Sequence, residues 1–324
     1  MSTSNAAVSS DPDVRRVGNA LVKVVGGRRV GHEVPFGPLT TFRVGGAAEW
    51  LAESRGFDET VRLLRVAVKL GLPVTRLGGG SNVLVADCGV RGLVIRIRHG
   101  AIELSHRGVV RVEAGVSLNG LVRWTITRGL AGVEAWAGTP GTVGGAIYGN
   151  AHFKGRLISE QILRVGIADR FGNTCEVDVS DMAFGYNESR LQQTGETALW
   201  ADLSVRASAP AELRAVALAS LAYRKRTQPL STLSAGCVFR NPNPLRESLP
   251  AGVPASAGAL IELAGLKGLA VGCARISDVH GNFIVGDGRV TAREIRALIE
   301  LCRERVRARF GIALQEEVVY LGEF

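Results

Sequence analysis

Two stretches of this chain have residue types and spacing that would let backbone close around a ligand. Gly138 to Ala151, GTPGTVGGAIYGNA, carries five glycines around one proline, with mostly small or β-branched neighbours. Such backbone can take positive φ and come within hydrogen-bonding distance of a bound group. Leu77 to Asp87, LGGGSNVLVAD, is a second run of the same kind, following a predicted strand. Consecutive N–H groups turned inward there, with Ser81 and Asn82 as added donors, make a cradle for phosphate. Glycine clusters are also ordinary turns. Two of them together suggest one long ligand with a phosphate-rich middle. Neither is a Walker loop, since no Gly-Lys-Ser/Thr follows, nor a G-x-G-x-x-G opening a helix.

The elements that must position these loops are mixed. Apolar spacing predicts helices over Val14 to Val25, Phe57 to Leu70 (with Asp58 as a possible cap), Ser117 to Arg128, Ala209 to Arg226, Ala257 to Ala264 and Thr291 to Phe310. Strands are predicted over Ala48 to Ala52, Val74 to Leu77, Val83 to Ala86, Gly92 to Ile97, Val109 to Ala114 and Thr197 to Ala207. Ile162 to Asp169 and Thr174 to Val179 read as a hairpin, Val271 to Val285 as strand, turn and strand, and Ala313 to Leu321 as a terminal strand. Ser180 to Arg190 reads as a polar loop. This order indicates an α+β protein rather than a doubly wound sheet. A composition shift places a junction near residue 208, and residues 1 to about 12, small and polar, are expected to be disordered.

The chain has 324 residues, enough for two or three modest domains. Its 41 glycines stand well above the average of about 7% and follow no Gly-X-Y period, so many tight loops are expected. Lys and Arg number 39 against 30 acidic residues, a formal charge of +9 that favours anionic partners. RNA-type aromatic platforms are missing at 6% aromatic residues, which argues against a nucleic-acid binder. The arginines of the last helix, Arg293, Arg296, Arg303, Arg305, Arg307 and Arg309, are most simply a solvated face. Five scattered cysteines, with no C-x-x-C pair, suggest neither a disulfide framework nor a zinc site, and no metal is expected. The N-terminus has no signal-peptide pattern, and no window approaches about 18 uninterrupted apolar residues. A cytoplasmic protein is expected.

Eight motifs occur in order: TTFRVGG at 40 to 46, LGGGSNVLVAD at 77 to 87, GTPGTVGGAIYGNA at 138 to 151, FGY at 184 to 186, SAGCVFRNP at 234 to 242, AGLKG at 264 to 268, SDVHGNFIV at 277 to 285 and LQEEV at 314 to 318. Together they resemble the UDP-N-acetylenolpyruvoylglucosamine reductases, flavoenzymes of peptidoglycan precursor synthesis, over residues from about 36 to 322. The interval from Trp200 to Ser234 leaves no room for the Tyr-bearing lid of the longer branch, so the chain resembles the shorter one. The resemblance implies an FAD-binding fold of the vanillyl-alcohol oxidase (PCMH) type in two α+β subdomains, plus a C-terminal α+β substrate-binding domain. The corresponding boundaries are a 1–35 extension, a 36–208 FAD domain divided near 98, a 209–312 substrate domain and a 313–324 terminal strand returning to the active site.

It further implies that FAD, reduced by NADPH, gives hydride from N5 to C3 of the enolpyruvyl group of UDP-N-acetylglucosamine-enolpyruvate, and that an acid then protonates C2. By position in the motif that acid is Cys237, whose thiol, ordinarily of pKa about 8.5, is protonated at neutral pH. Outside the motif it would read as a small buried hydrophobe. The second implied acid is Glu317, expected neutral beside the substrate carboxylate because two like charges at close range raise one pKa. The implied FAD contacts are Thr41, Gly46, Gly78, Gly79, Gly80, Ser81, Asn82, Pro140, Gly141, Val143, Gly144, Gly145, Asn150 and His280, the last equally readable as a hydrogen-bonded structural histidine. The implied substrate contacts are Tyr186, Ser189, Arg240, Asn241 and Lys267, with the cluster Arg224-Lys225-Arg226 also a diphosphate candidate. One position departs from the pattern: the family's Tyr-Arg-x-Ser is Tyr186-Asn187-Glu188-Ser189 here. The Arg faces the substrate carboxylate in the family, and Arg190 is the nearby cation that could replace it. A monomer is expected. An FAD enzyme of the same fold acting on a small alcohol or lactone is the alternative that Asn187 leaves open.

Overall fold

The structure is a computed structural model that describes residues 11–244, 247, 249 and 252–324. The expected disorder of residues 1 to about 12 lies outside the described residues up to position 10. The chain divides into two compact units, the first formed by Met1–Val34, Ala48–Gly79 and Arg91–Ala222, the second by Pro35–Ala47, Gly80–Val90 and Tyr223–Phe324.

In the first unit a four-stranded sheet orders Val30–Pro35, Ala47–Ser54, Val90–Ile97 and Val74–Leu77 side by side. The helices Pro12–Val25 and Phe57–Leu70 contribute Val17, Leu21, Val61, Leu63 and Leu64 to a core shared with Trp50, Leu93 and Ile95 of the strands. Strand Ala47–Ser54 alternates half-buried and buried side chains, the period of a sheet with one face on a core. Helix Phe57–Leu70 begins at Gly56 without a side-chain cap, so Asp58 sits in its first turn and favours the positive end of the helix dipole instead. Gly71 ends it in the left-handed conformation at φ 68°.

A five-stranded antiparallel sheet follows in the same unit, in the order Thr174–Asp178, Ile162–Ala168, Thr197–Ser204, Val109–Glu113, Ile102–His106. Helix Leu118–Thr127, capped by Ser117 whose Oγ accepts from Gly120 N–H, packs Leu121 and Val122 into its core. The edge strand Ile102–His106 was not expected from sequence; it is largely solvent-exposed and lacks the apolar alternation that marks a core strand. The stretch 138 to 151, read as loop, contains a short helix, Val143–Tyr148, capped by Thr142 Oγ1. Ser180 to Arg190 likewise gives way to a helical turn at Val179–Met182 and, at its end, a helix over Arg190–Thr194.

Helix Pro210–Thr227 begins just after the composition shift at 208, and the chain changes unit within it, between Ala222 and Tyr223. In the second unit the strands Ala270–Val271, Ala274–Ile276 and Ile284–Val285 form a small sheet. Helices Ala257–Leu263 and Ala292–Phe310 pack Leu260, Ile261, Ile295, Leu298 and Ile299 into one core with Phe239, Leu84 and Leu314. The long helix opens with a capping box between Thr291 and Glu294, and Asp87 accepts from the N–H groups of Ala292 (2.8 Å) and Arg293 (3.0 Å). Of its arginines all but Arg296, which is half-buried, are exposed. The terminal strand is shorter than expected: only Val319–Leu321 pairs, in parallel, with Val83–Val85, while Glu316 makes an isolated bridge to Phe239. The break at Glu317 and Val318 arises because both N–H groups turn to one acceptor, the Val238 carbonyl. Among the described residues no helix is long and apolar enough to cross a membrane.

Candidate active site

In the second unit the motif at 234 to 242 is pinned by Asn282. This residue, 3% exposed, accepts from Phe239 N–H through Oδ1 (2.9 Å), donates from Nδ2 to Phe239 C=O (2.7 Å) and accepts from Val238 N–H through its own carbonyl (2.9 Å). Gly236, at φ 83°, makes the turn that brings Cys237 to the clamped backbone. The Val238 carbonyl then accepts from Glu317 N–H at 2.7 Å, placing the thiol and the carboxyl of the terminal segment in one locality. Burial pushes the Cys237 thiol up to about 12; nearby Glu317 adds to the rise, while Arg224 and a hydrogen bond from Asn282 oppose it. The thiol therefore holds its proton across the neutral range, with the buried Arg224 guanidinium nearby as a partial counterweight.

The loop Gly80 to Asn82 belongs to the same unit. Thr41 donates to Gly80 C=O from both its N–H (3.0 Å) and its Oγ1 (3.4 Å), and Asn82 Nδ2 donates to Glu317 C=O (3.1 Å). Asn82 thus braces the terminal segment, and Gly46, whose N–H donates to Ala86 C=O (2.9 Å), holds the neighbouring loop. A Cβ on Gly80 would meet Leu39 C=O, so only glycine allows this approach. The N–H groups of Gly80 and Ser81 meet no acceptor among the described residues.

Other expected contacts in this unit carry structural bonds. Asn241 Oδ1 accepts from Ala257 N–H (3.1 Å), at the start of a helix. Lys267 pairs with Glu262 (3.0 Å), and Arg240 N–H donates to Gln315 C=O (2.8 Å). His280 Nδ1 accepts from Asn282 N–H (3.1 Å), and its ring lies edge-on to Phe283. Burial, with Lys267 nearby, holds its pKa below the usual imidazole range, as for a structural histidine.

In the first unit Gly78 and Gly79 meet the glycine run at 138 to 151. A Cβ on Gly79 would lie 2.7 Å from Gly141 Cα, and one on Gly78 would collide with Thr142 Oγ1. Side chains are excluded, and Gly79 N–H has no acceptor among the described residues. The N–H groups of Val143 and Gly144 donate to Val116 C=O and Ala114 C=O, both at 2.8 Å, and Gly145 N–H donates to the Thr142 cap. They hold the loop. Pro140 is exposed beside Gly141, which has φ 107°. Asn150, fully buried, donates to Gly185 C=O (2.8 Å) and accepts from Ser159 N–H (3.2 Å), and Ser189 Oγ donates to Tyr148 C=O (2.7 Å). Both tie the glycine run to the Tyr186 turn.

Two residues here had no signal in the sequence. Arg76, on the strand before Gly78, donates to Thr197 Oγ1 (2.9 Å) and lies near Tyr148; burial lowers the arginine's pKa and raises the tyrosine's. His152 accompanies Tyr186 and Asn187, its Nε2 lying 3.1 Å from the Tyr186 hydroxyl. Arg190 is bound bidentately to Glu196 at 2.9 and 3.0 Å, which commits its guanidinium. A lone histidine after Asn150-Ala151 forms no pattern, so only the fold reveals its neighbours.

The unclaimed N–H groups on glycine backbone suit a dinucleotide diphosphate, since backbone donors approach closely without a side chain between. In each unit, taken separately, the residues present fit an FAD.

The family profile for an FAD binding domain matches residues 52–178, and that for the UDP-N-acetylenolpyruvoylglucosamine reductase C-terminal domain matches 228–321. The chain is 41% identical over 298 residues to the UDP-N-acetylenolpyruvoylglucosamine reductase of Synechococcus sp. (strain JA-3-3Ab), covering 91% of this chain and 92% of that protein. It is 38% identical over 315 residues to the same enzyme of Myxococcus xanthus, covering 94% and 96%. The crystal structure of the reductase (MurB) from Thermus caldophilus superposes with a TM-score of 0.75 at 32% identity, covering 91% of this chain and 99% of that one. With matches of this extent along nearly its whole length, the chain belongs to the UDP-N-acetylenolpyruvoylglucosamine reductase family, FAD-dependent oxidoreductases of α+β fold.

Proposed function

We infer that the protein reduces UDP-N-acetylglucosamine-enolpyruvate to UDP-N-acetylmuramate with NADPH as reductant, in peptidoglycan precursor synthesis. The observation that carries this reading is the Cys237 thiol, kept protonated at the clamped turn beside Glu317. FAD, when bound, supplies the hydride for C3 of the enolpyruvyl group. Negative charge then builds on C2 and the adjoining carboxylate, and two groups of this chain answer it. The C–H bond at C2 forms as the Cys237 S–H bond breaks, and the thiolate is reprotonated from solvent. A thiol of pKa about 12 still gives up its proton to a carbanionic carbon, a far stronger base, and Arg224 favours the resulting thiolate. Glu317, whose negative charge contributes to the raised thiol pKa in the free protein, takes up a proton when the substrate carboxylate comes beside it and in that form donates a hydrogen bond to it, where an ionised carboxyl would repel it. Gly78, Gly79, Gly80 and Ser81 bind the cofactor diphosphate through backbone N–H groups; Asn82, Asn150, Gly144 and Gly145 shape those loops.

The reading extends to a protein working in the cytoplasm as a monomer, with the nucleotide substrate rather than nucleic acid as the partner of its positive charge. The test is stopped-flow absorbance of the FAD-loaded protein, reduced anaerobically by NADPH and then mixed with the enolpyruvyl nucleotide. Rapid flavin reoxidation is expected. Reduction without reoxidation would instead favour an oxidoreductase acting on a small alcohol or lactone, the reading that the Asn187 departure keeps in view.

A further inference from the structure

Asn187 stands where the resemblance calls for an arginine. It is 5% exposed and held at φ 58°, a backbone position that asparagine tolerates better than most residues. Gln192 Nε2 fixes its backbone by donating to Asn187 C=O (3.0 Å) and to Tyr148 C=O (2.8 Å). Its side chain adjoins the His152 ring in a contact that favours the protonated imidazole, the sense of an amide oxygen facing a ring N–H. An amide whose oxygen is engaged on one side presents its nitrogen on the other. That nitrogen, Nδ2, is buried and has no hydrogen-bond partner among the described residues. A buried donor pair left in this state costs free energy unless a ligand satisfies it.

The histidine is itself held. Its Nε2 lies 3.1 Å from the Tyr186 hydroxyl, and the two rings stack at a tilt with centroids 4.6 Å apart. Across the hairpin Leu157 faces it. The charged residues on the adjoining elements, Lys154 and Arg156 of the hairpin and Glu188 of the turn, are solvent-exposed, and Arg190 of the following helix is paired with Glu196.

We propose that His152 is a positioning residue: with Tyr186 it orients the Asn187 amide so that Nδ2 donates to the carboxylate of the enolpyruvyl substrate, replacing the missing guanidinium. The inference rests on the substrate assigned in the preceding subsection. It also gives the site a pH response that an arginine lacks. Burial holds the His152 pKa below the usual imidazole value, so the ring is neutral at pH 7. In that state one ring N–H serves Asn187 and the other nitrogen accepts from the Tyr186 hydroxyl. On protonation both ring nitrogens donate. The Tyr186 oxygen then becomes an acceptor, its hydrogen turns outward, and a positive charge appears beside the anion. Substrate affinity should therefore rise as pH falls through the range just below the ordinary histidine pKa.

The test uses FAD-loaded protein reduced with dithionite, which requires no nucleotide site, and then mixed with the enolpyruvyl nucleotide between about pH 5 and 8. His152→Phe keeps a ring against Tyr186 and removes both ring nitrogens. The expected result is an apparent substrate dissociation constant raised about tenfold or more, with loss of the acid-side gain in affinity shown by the wild type. Asn187→Asp, which places a carboxylate oxygen where the amide nitrogen donates, should weaken binding further while retaining FAD. A second readout is magnetic resonance: the His152 imidazole signal, assigned by its loss in His152→Phe, should shift when the nucleotide is added to the oxidised protein. If wild type reoxidises and His152→Phe matches it in affinity and pH profile, the proposal is overturned while the substrate assignment stands. A wild-type flavin that stays reduced in the presence of the nucleotide overturns the assignment and the proposal together.

Discussion

Cys237 and Glu317, 80 positions apart in the chain, meet through a single carbonyl: Val238 C=O accepts from Glu317 N–H at 2.7 Å, one residue after the thiol. The same carbonyl also accepts from Val318 N–H at 3.4 Å, which is what breaks the terminal strand there. The thiol and the carboxyl are thus brought together by backbone bonding.

Removing the thiol tests that arrangement directly. Cys237→Ala should bind FAD and be reduced by NADPH, yet its reoxidation by the enolpyruvyl nucleotide should slow by about 10²- to 10⁴-fold, the usual size of a general-acid contribution. Cys237→Ser should recover part of the rate. Because the folded thiol titrates near 12, the wild-type rate should show no loss from thiol ionisation between pH 7 and 10. The unfolded chain releases the same proton near its ordinary pKa of about 8.5, so this group's effect on stability is absent below that value and destabilising above it. Denaturant midpoints measured from pH 7 to 10 check the sign.

Glu317→Gln keeps a donor but cannot ionise. If the carboxyl acts protonated, the variant should lose rate by about tenfold or more through altered geometry. Full turnover with an unchanged pH profile would remove Glu317 from the site.

Arg190→Ala separates the neighbouring cation from the chemistry. The guanidinium is bidentate to Glu196, at 34% and 15% side-chain exposure for the pair, so its loss should lower stability by about 1 kcal/mol or less. Turnover should stay within about twofold of wild type, since the guanidinium is already committed to Glu196. A loss of a hundredfold would return Arg190 to the substrate carboxylate.

Asn282→Ala leaves Phe239 N–H and C=O without their side-chain partners in a buried place. Each such group costs about 1–3 kcal/mol, so a strongly lowered melting temperature is expected, together with slower reoxidation from a loosened Cys237 turn. Unchanged stability would show that the clamp is dispensable.

By itself the sequence determined the α+β class, most helices to within a residue or two, both glycine loops and, through eight ordered motifs, the family. These features are local: apolar spacing sets Phe57–Leu70, Ser117 caps Leu118–Thr127, and Gly79 packs so closely on Gly141 that no other residue fits. The tertiary structure decided what those residues do to each other. Val143 and Gly144 look like ligand-facing loop in sequence, but Ala114 and Val116 take their N–H groups and a helix forms. Asn187 read as a missing charge, and only folding brings it against His152, 35 positions earlier, whose surroundings no local pattern encodes. The thiol of Cys237 has an ordinary acidity in the chain; burial together with Glu317, distant in sequence, raises it. Electrostatic and hydrogen-bond partners act through space, so the residues of a site can be named from sequence while their states are set by the fold.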